Sequence, residues 1–271
     1  MCIRDRDGIV KFYIDGDVVE CMEYEEQLSR CFNLDYCEVV PDFDHDDLPL
    51  RALGPAGGQY LHRVLDGATF RSVGIGHGRT MAACVQNIPR TRNTEVQFTS
   101  LIGGFSRKFA ANALDVMHRL AERTNAQAHV LPVPFTVDSV KDKDILMGQR
   151  GLQTVMEMAR NTPLKMAGVG ALQKKSTLVM AEMISESDMD EVIEAGAAGE
   201  LLGNFFSDDG NPVHTSFSSR TIGVSVEDIK GSKVIAVAGG PEKSRAIKAV
   251  LNSGLLTGLI TDERTARLLC E

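Results

Sequence analysis

The feature that most constrains this chain is the alternation of short apolar runs with amphipathic stretches of helical period, repeated along most of its length. Four of the apolar runs end at glycine-bearing turns, near residues 74, 103, 168 and 239. Parallel strands need long crossover connections, and the intervening helical stretches supply connections of that length. The pattern therefore predicts an α/β fold with a mostly parallel sheet and helices on both faces.

The same pattern locates the individual elements. We expect strands at 8–14, 36–40, 69–75, 94–102, 128–134, 165–170, 233–238 and 256–261. Apolar stripes predict helices around 28–32, 60–65, 112–123, 187–196, 241–254 and from 263 onward. Ser187 and Asp190 have the spacing of a capping box. Neither a fixed repeat nor a low-complexity linker divides the chain, so we expect one domain with a small antiparallel hairpin lobe near 204–224.

The composition argues against a membrane-spanning protein and against a disordered one. Hydrophobic residues make up 43% of the chain and charged residues 24%, values typical of a globular protein. No apolar run approaches the roughly 20 residues that a membrane helix needs, and the N-terminus lacks a secretory signal. The six cysteines show neither C-x-x-C pairs nor a spacing interleaved with histidine, so we interpret them as reduced thiols. We therefore expect a soluble cytoplasmic protein with no membrane partner.

The distribution of charged residues argues against direct binding of nucleic acid and against a metal site. A formal net charge of -8 argues against direct binding to a phosphate backbone, because clusters of Lys and Arg supply most of that affinity. The adjacent Lys174 and Lys175 are more typical of a solvated helix face. The acidic run at 42–47 lacks the glycine and terminal glutamate of a calcium loop, so we favour an exposed loop over a metal site. We expect no metal and no cofactor.

The segment at 69–80 is the first candidate for a binding site. An apolar strand leads into a helix through a turn with glycines at alternate positions, Gly74, Gly76 and Gly78. Such a turn presents backbone N–H groups and the positive end of a helix dipole to an anion, while Arg79 and Thr80 add side-chain donors. The alternative is an ordinary βα turn in which the glycines serve packing alone. The loop lacks both the dinucleotide fingerprint and the P-loop motif, which disfavours NAD and ATP.

Two further candidates follow neighbouring strand ends, where ligands bind in open parallel sheets. Lys243 lies just after Gly240 and would direct an ammonium group at the same edge; otherwise it is a solvated lysine near a helix start. Glu200 follows small residues and would accept hydrogen bonds from sugar hydroxyls; otherwise it is a surface acid. Asp262 and Glu263 are similarly placed, although Asp262 also suits a helix N-cap.

His77 lies inside the glycine turn and invites an acid–base role. No serine or cysteine nucleophile is linked to it by a motif, so we assign no catalytic residue. His129 and His214 are expected to be structural.

Eight short motifs, in order along the chain, together resemble one protein family. They are Gly76-His-Gly-Arg-Thr80, Leu101-Ile-Gly-Gly104, Asn112 with its helix, Leu131-Pro-Val-Pro134, Gly196-Ala-Ala-Gly-Glu200 to Asn204-Phe-Phe206, Arg220-Thr-Ile-Gly223, Ala238-Gly-Gly240 to Lys243, and Leu259-Ile-Thr-Asp-Glu263. The collinear set, from about residue 8 to the end, resembles the C-terminal sugar-binding effector domain of SorC-type bacterial transcription regulators.

The resemblance implies a Rossmann-like fold similar to phosphosugar isomerases and deaminases. It implies a phosphorylated sugar or polyol as effector and assembly into a homo-oligomer, a dimer or a tetramer. By position, the family's phosphate loop corresponds to His77, Gly78, Arg79 and Thr80, and its ligand-contacting acid and lysine correspond to Glu200 and Lys243. His77 stands where the family often has a bulky aromatic residue, which leaves open how the anion is held.

Regulators of this type also carry an N-terminal helix-turn-helix domain. Residues 1–7 are too short to be that domain, and the strand expected at 8–14 resembles at most the last strand leading out of it. We therefore expect residues 1–7 to be a remnant outside any domain and residues 8–271 to be the effector domain with its leading strand. DNA would then be bound only through a helix-turn-helix domain that is missing here.

Three functions remain to be weighed. The favoured one is a ligand sensor, in which effector occupancy changes how subunits pack. The alternative is a phosphosugar isomerase or lyase, with Lys243 forming a Schiff base or Glu200 acting as base. A third, an oligomerisation module without a ligand, leaves the glycine turn unexplained. The sensor is preferred because no complete acid–base pair or nucleophile constellation emerges from the sequence.

Overall fold

The computed structural model describes residues 3–4, 10–11, 17–42, 49–91, 95–104, 113–173, 176, 179 and 183–271. The strands in these ranges are β1 (Ile3–Arg4), β2 (Val10–Lys11), β3 (Tyr36–Val40), β4 (Ser72–Ile75), β5 (Gln97–Ser100), β6 (Gln127–His129), β7 (Leu164–Ala167), β8 (Gly170–Ala171), β9 (Ala197–Leu201), β10 (Asn204–Ser207), β11 (Pro212–Val213), β12 (Lys233–Val237) and β13 (Gly258–Asp262). The helices are α1 (Asp17–Phe32), α2 (Leu50–Asp66), α3 (Arg79–Gln86), α4 (Ala113–Thr124), α5 (Val140–Met147), α6 (Arg150–Arg160), α7 (Glu186–Glu194), α8 (Val226–Ile229), α9 (Ser244–Asn252) and α10 (Glu263–Cys270).

Seven of the described strands form one parallel sheet in the order β3-β13-β12-β7-β4-β5-β6. Strand β12 shows why the sheet is covered on both sides. Val234 and Ala236 belong to one hydrophobic core, whereas Ile235 and Val237 belong to the other. A run that is apolar at every position is typical of a parallel strand buried on both faces. The predicted α/β class is confirmed.

Helices pack on each face of this sheet. Buried residues of α2, α3 and α4 form one core with the sheet, and buried residues of α1, α6, α9 and α10 contribute to the other. Both faces are therefore closed to water, and the edges of the sheet are where polar groups can meet a ligand. None of the described helices is both long and apolar enough to cross a membrane.

Helix α2 begins nine residues before the stripe that predicted it, at Leu50 rather than near residue 59. Its early part contains Pro55 and several glycines, which the sequence suggests are helix breakers. In the structure two of them allow α2 to lie against α3. A methyl group on Gly57 would collide with the Sγ of Cys84, and one on Gly58 would lie 2.7 Å from the carbonyl oxygen of Cys84.

A smaller antiparallel sheet, in the order β11-β10-β9-β8, extends from the main sheet and includes the predicted hairpin. Its core is aromatic: the ring centroids of Phe205 and Phe217 lie 5.8 Å apart. The segment at 221–224 is not a strand, as the sequence suggested, but makes isolated bridges with Thr136 and Ile102. Strand β9, which carries Glu200, was not anticipated as a strand.

Other expectations differ in detail. The helix near 187 is capped by Ser185, whose hydroxyl accepts the N–H of Asp188, two residues before the expected capping box. Asp42, expected in an exposed loop, has a side chain only 5% exposed that pairs with Arg264 at 3.3 Å. Helices α5 and α6 had not been predicted. The rest of the acidic run, residues 43–48, and Asn112, Lys174, Lys175 and most of the strand expected at 8–14 lie outside the described residues.

Candidate functional site

The candidate site lies at the carboxyl edge of the main sheet. Strands β12, β7, β4 and β5 are consecutive neighbours in it, and they are the four strands whose glycine-bearing ends were expected to share one crevice. The strand order places these four ends side by side. Crevices at this edge are where open parallel sheets bind ligands.

The glycine turn between β4 and α3 forms one wall. Gly76 donates its N–H to the carbonyl of Met166 at 2.8 Å, and a methyl group on Gly76 would press against Ala167 and Leu202 at 3.2 Å. Gly78 is the N-cap of α3, with φ 110° and ψ 175°, a region open only to glycine. Among the described residues beyond its chain neighbours, none has an atom within 4 Å of the position that a Cβ on Gly78 would take. The described part of the chain therefore leaves open space beside the N-cap of α3.

Two side chains follow at the start of α3. Arg79 is its first residue and is exposed, whereas Thr80 is only 5% exposed. The Cβ of Thr80 lies 3.9 Å from where a Cβ on Gly168 would stand, so the end of β7 runs directly beside this helix start. The cradle thus joins two adjacent strand ends.

His77 is held by two contacts. Its Nε2 lies 3.3 Å from the carbonyl oxygen of Gly103, and its ring meets Phe135 edge to face with centroids 6.5 Å apart. Burial lowers the pKa of His77 to about 4, and the hydrogen bond to Gly103 only partly opposes this. The imidazole is therefore neutral at physiological pH and adds no positive charge to the cradle.

Glu200, on β9, is a buried carboxylate rather than a surface acid. Its Oε1 accepts the N–H of Gly203 at 2.6 Å, and its Oε2 lies so close to Gly170 that a methyl group there would displace it. Burial raises the pKa of Glu200 to about 6, against the opposing influence of the Gly203 N–H and of Lys243. The carboxylate is held in place with one oxygen directed away from its backbone partner.

Lys243 lies in a short 3-10 turn, Pro241–Lys243, after β12. Its Nζ donates to the carbonyl oxygen of Val169 at 2.9 Å, just beyond the end of β7. Burial lowers the pKa of Lys243 to about 8; the nearby charge of Arg79 lowers it further and that of Glu200 raises it. Lys243 is therefore within electrostatic reach of both Arg79 and Glu200, although the three residues come from distant parts of the chain.

Asp262 has a supporting role that its position on β13 did not reveal. Its Oδ1 accepts the N–H of Thr265 at 3.0 Å, which confirms it as the N-cap of α10. Its Oδ2 accepts the N–H of Gly240 at 2.9 Å and the hydroxyl of Thr265 at 2.6 Å. This buried network fixes the glycine turn that precedes Lys243. Sequence reasoning missed Thr265, although Asp followed three residues later by Thr is a recognisable capping pattern.

The arrangement suits recognition of an anion that also carries hydroxyl groups. Arg79 begins helix α3 and lies within electrostatic reach of Lys243, so a helix N-terminus, a guanidinium and an ammonium would together complement negative charge. A fixed carboxylate and a neutral imidazole complement hydroxyl donors instead. Among the described residues no group of three or more His, Cys, Asp or Glu is arranged to hold a metal ion.

Comparison with known proteins places this geometry in a family context. The model of the family described as "Putative sugar-binding domain" matches residues 16–271. The erythritol catabolism regulatory protein EryD of Brucella abortus (strain 2308) is 46% identical over 263 residues, covering 97% of this chain and 83% of that protein. The transcriptional regulator LsrR of Klebsiella pneumoniae subsp. pneumoniae is 27% identical over 266 residues, covering 96% of this chain and 79% of that protein.

A solved structure shows the same fold. The full-length sorbitol operon regulator SorC from Klebsiella pneumoniae superposes with a TM-score of 0.85 over 98% of this chain and 86% of that chain, at 22% identity. A likeness at that identity speaks for the architecture alone. With the family match over residues 16–271 and the 46% identical relative, it completes the assignment: the chain belongs to the sugar-binding domain family of SorC-type transcriptional regulators.

Proposed function

We propose that this chain is the sensor of a transcriptional regulator and that it binds a phosphorylated sugar or polyol at the carboxyl edge of its main sheet. The observation that supports the proposal is that Lys243 lies within electrostatic reach of Arg79, at the N-terminus of α3, and of the buried carboxylate of Glu200. Positive and negative groups placed so close together match a ligand with an anionic end and a hydroxylated end.

The anionic end is assigned to the cradle. Backbone N–H groups at a helix N-terminus and a guanidinium both bind phosphate oxygens well. The charge of Arg79 disfavours the ammonium form of Lys243, and a phosphate between them would relieve that repulsion. Gly78 has no side chain, and among the described residues beyond its chain neighbours no atom lies within 4 Å of its Cβ position.

The hydroxylated end is assigned to Glu200. A carboxylate fixed by the N–H of Gly203 accepts hydrogen bonds from ligand hydroxyls without having to reorganise. Because the carboxylate is buried, leaving it unpaired is costly, and each such hydrogen bond therefore contributes to the free energy of binding. A phosphate alone would leave it without a ligand partner.

The relative EryD regulates erythritol catabolism by its name. Since it is 46% identical to this chain, we propose a phosphorylated four-carbon polyol, erythritol 4-phosphate, as the first effector to test.

The remaining parts of the regulator follow from the same proposal. Residues 8–271 form the effector domain, which works in the cytoplasm, and effector occupancy acts through the packing of a homo-oligomer, a dimer or a tetramer. DNA is contacted by a helix-turn-helix domain outside these residues. The formal net charge of -8 supports this division, because a chain so acidic is poorly suited to hold a phosphate backbone by itself.

One observation supports an enzyme as a second candidate. The pKa of Lys243 is lowered to about 8 and that of Glu200 is raised to about 6, values that suit imine formation and proton transfer in a phosphosugar isomerase or lyase. Conversion of a bound phosphosugar, followed by NMR, would favour this candidate over the sensor.

A thermal-unfolding assay tests the proposal directly. Erythritol 4-phosphate at 100 times its dissociation constant should stabilise the protein by about 2.7 kcal/mol. Erythritol at the same concentration should do little, because it lacks the group that the cradle binds. Equal stabilisation by the two would contradict the phosphate assignment.

Two arginine variants provide a matched pair. Arg79 and Arg150 are both exposed and both occupy the first position of a helix, α3 and α6 respectively. Arg79→Ala should reduce the stabilisation by erythritol 4-phosphate, whereas Arg150→Ala should leave it unchanged. An equal effect of the two substitutions would show that the contribution of Arg79 is general charge and not a local contact.

A further inference from the structure

His77 was placed in the phosphate loop by resemblance, yet its chemistry is unsuited to holding phosphate. The carbonyl oxygen of Gly103 can only accept a hydrogen bond, and it lies 3.3 Å from Nε2 of His77. The ring proton must therefore reside on Nε2. In a neutral imidazole that leaves Nδ1 unprotonated, with a lone pair that accepts.

The surroundings keep the ring in this state. His77 is half-buried and packs edge to face against Phe135, and burial lowers its pKa to about 4. Protonation of Nδ1 would create an imidazolium beside the aromatic ring and close to the positive end of α3. Both the tautomer and the neutrality are therefore set by the protein.

The acceptor on Nδ1 is available to a ligand. In the described ranges Nδ1 of His77 has no hydrogen-bond partner. The hydrogen bond of the ring to Gly103 uses Nε2, so Nδ1 is left to accept from a ligand.

Position then decides what Nδ1 can bind. His77 stands between Gly76 and Gly78, two residues before Arg79, the first residue of α3. A phosphate monoester is largely a dianion at neutral pH, so its oxygens bring no proton and would face the lone pair of Nδ1 with like polarity. A hydroxyl on a carbon close to the phosphate has a proton to donate.

We propose that His77 is a specificity-determining residue of this site: its Nδ1 accepts a hydrogen bond from an effector hydroxyl adjacent to the phosphate and does not bind the phosphate itself. This inference rests on the proposed function and deepens it, because it requires the effector to be hydroxylated next to its phosphorylated carbon. Glu200 and His77 then both accept hydrogen bonds from effector hydroxyls, and the cations hold the phosphate.

The tautomer is tested in the ligand-free protein. A long-range ¹⁵N–¹H correlation spectrum at pH 7 distinguishes protonated from unprotonated ring nitrogens, and the signals that disappear in His77→Phe identify this residue. We expect a protonated Nε2 and an unprotonated Nδ1. A protonated Nδ1, or a ring that titrates near its ordinary pKa, would overturn the proposal.

Ligand discrimination is tested with two phosphates that differ only in hydroxyls, erythritol 4-phosphate and butane-1,4-diol monophosphate. The wild-type protein should bind the hydroxylated compound about tenfold more tightly through His77 alone, because the analogue cannot make the hydrogen bond to Nδ1. In His77→Phe that margin should shrink by the same factor, while affinity for the diol phosphate stays constant. His118→Phe, on the exposed face of α4, is the control and should behave as wild type.

Two further variants secure the result if His77→Phe folds poorly. His77→Leu also lacks the acceptor, whereas His77→Asn places an amide oxygen at the same distance along the side chain as Nδ1. We expect Leu to lose the discrimination and Asn to restore part of it. Full discrimination in the Phe or Leu variant would overturn the role of His77 and leave the proposed function intact. Failure of the wild-type protein to bind either phosphate would instead overturn the proposed function, while the spectrum of the free protein still decides the tautomer.

Discussion

Two buried lysines at opposite edges of the main sheet make an instructive comparison. Lys165 lies near the amino end of β7, and Lys243 lies beside the chain that leaves the carboxyl end of the same strand. Burial lowers the pKa of both to about 8. Their hydrogen bonds differ. The Nζ of Lys165 donates to the carbonyl oxygens of Arg160 at 3.1 Å and Thr162 at 2.7 Å and to the hydroxyl of Ser232 at 2.8 Å.

An ammonium group has three donors, so Lys165 is fully satisfied by the protein. Lys243 makes one hydrogen bond within the described ranges, to Val169, and it has a cation and a carboxylate as neighbours. The same residue type therefore has all its donors used within the protein at one edge, and at the other edge it keeps donors for the ligand that we propose. A lowered pKa alone does not separate the two; the number of donors already used does.

The largest effect on stability is expected from removing the side chain of Lys165. Lys165→Ala removes a fully buried side chain and leaves two carbonyl oxygens and a hydroxyl without their donor, which should lower the free energy of unfolding by about 3–5 kcal/mol. Urea denaturation measures this. Lys248→Ala, on the exposed side of α9, should change stability by less than about 0.5 kcal/mol. A comparably small loss for Lys165→Ala would remove the basis of the comparison.

The converse is expected for Lys243→Ala. It should change the free energy of unfolding little, because a desolvated charge with one hydrogen bond is removed. It should cost about 2 kcal/mol of binding energy for the phosphorylated effector, the value of a charge-assisted hydrogen bond. At the concentration that stabilises the wild-type protein by about 2.7 kcal/mol, the variant would gain less than about 1 kcal/mol. Thermal unfolding with and without effector gives both numbers, and an unchanged effector response would contradict the assignment.

A pair of glycines extends the comparison of the two sheet edges from side chains to the backbone. Gly78, in the cradle, has φ 110°, and Gly231, just before β12 at the opposite edge, has φ 78°. No atom of the described residues beyond the chain neighbours lies within 4 Å of a Cβ at either position, so among them an alanine would be strained by conformation alone. Each Gly→Ala substitution should cost about 1–2 kcal/mol of stability. Only Gly78→Ala should also weaken effector binding, as measured by titration calorimetry. Weaker binding in both variants would indicate a global effect instead.

The sequence predicts the crevice well because its signals are local. Apolar runs give the strands, and glycines mark their carboxyl ends, so the neighbourhood of β4, β5, β7 and β12 could be anticipated. The placement of Glu200 and Lys243 depended on resemblance to a family as much as on pattern. Their partners, the N–H of Gly203 and the carbonyl of Val169, are backbone groups that no side-chain pattern identifies.

The remaining elements fail to show in the sequence for physical reasons. Helix α5 has no buried residue, so it has no apolar stripe to find. The start of α2 is hidden because its glycines serve close packing against α3. Lys165 interrupts an apolar strand like any charged residue, and its role depends on acceptors contributed by the loop before β7 and the turn before β12. Long-range partners of this kind become visible only in the folded protein.

The smallest expected effect uses pH to separate the two lysines. A bound phosphate favours the ammonium form of Lys243 and so raises its pKa above the value of about 8 in the free protein. Binding then takes up a proton, and affinity must fall as pH rises through the free value. Since the phosphate is already a dianion above pH 7, the change from pH 7 to pH 8.5 should be about fourfold.

Lys243→Arg sharpens this test, because a guanidinium stays charged over the whole range and should remove the pH dependence even if affinity changes. Lys165→Ala should keep the fourfold loss, because Lys165 does not reach the effector and its own deprotonation acts on stability. For Lys165 the folded pKa lies below the unfolded value, so the unfolded chain binds more protons and stability rises with pH above about 8. Calorimetry at the two pH values measures the affinity. A fourfold loss that persists in Lys243→Arg would assign the proton to another group and would contradict the role of Lys243 in effector binding.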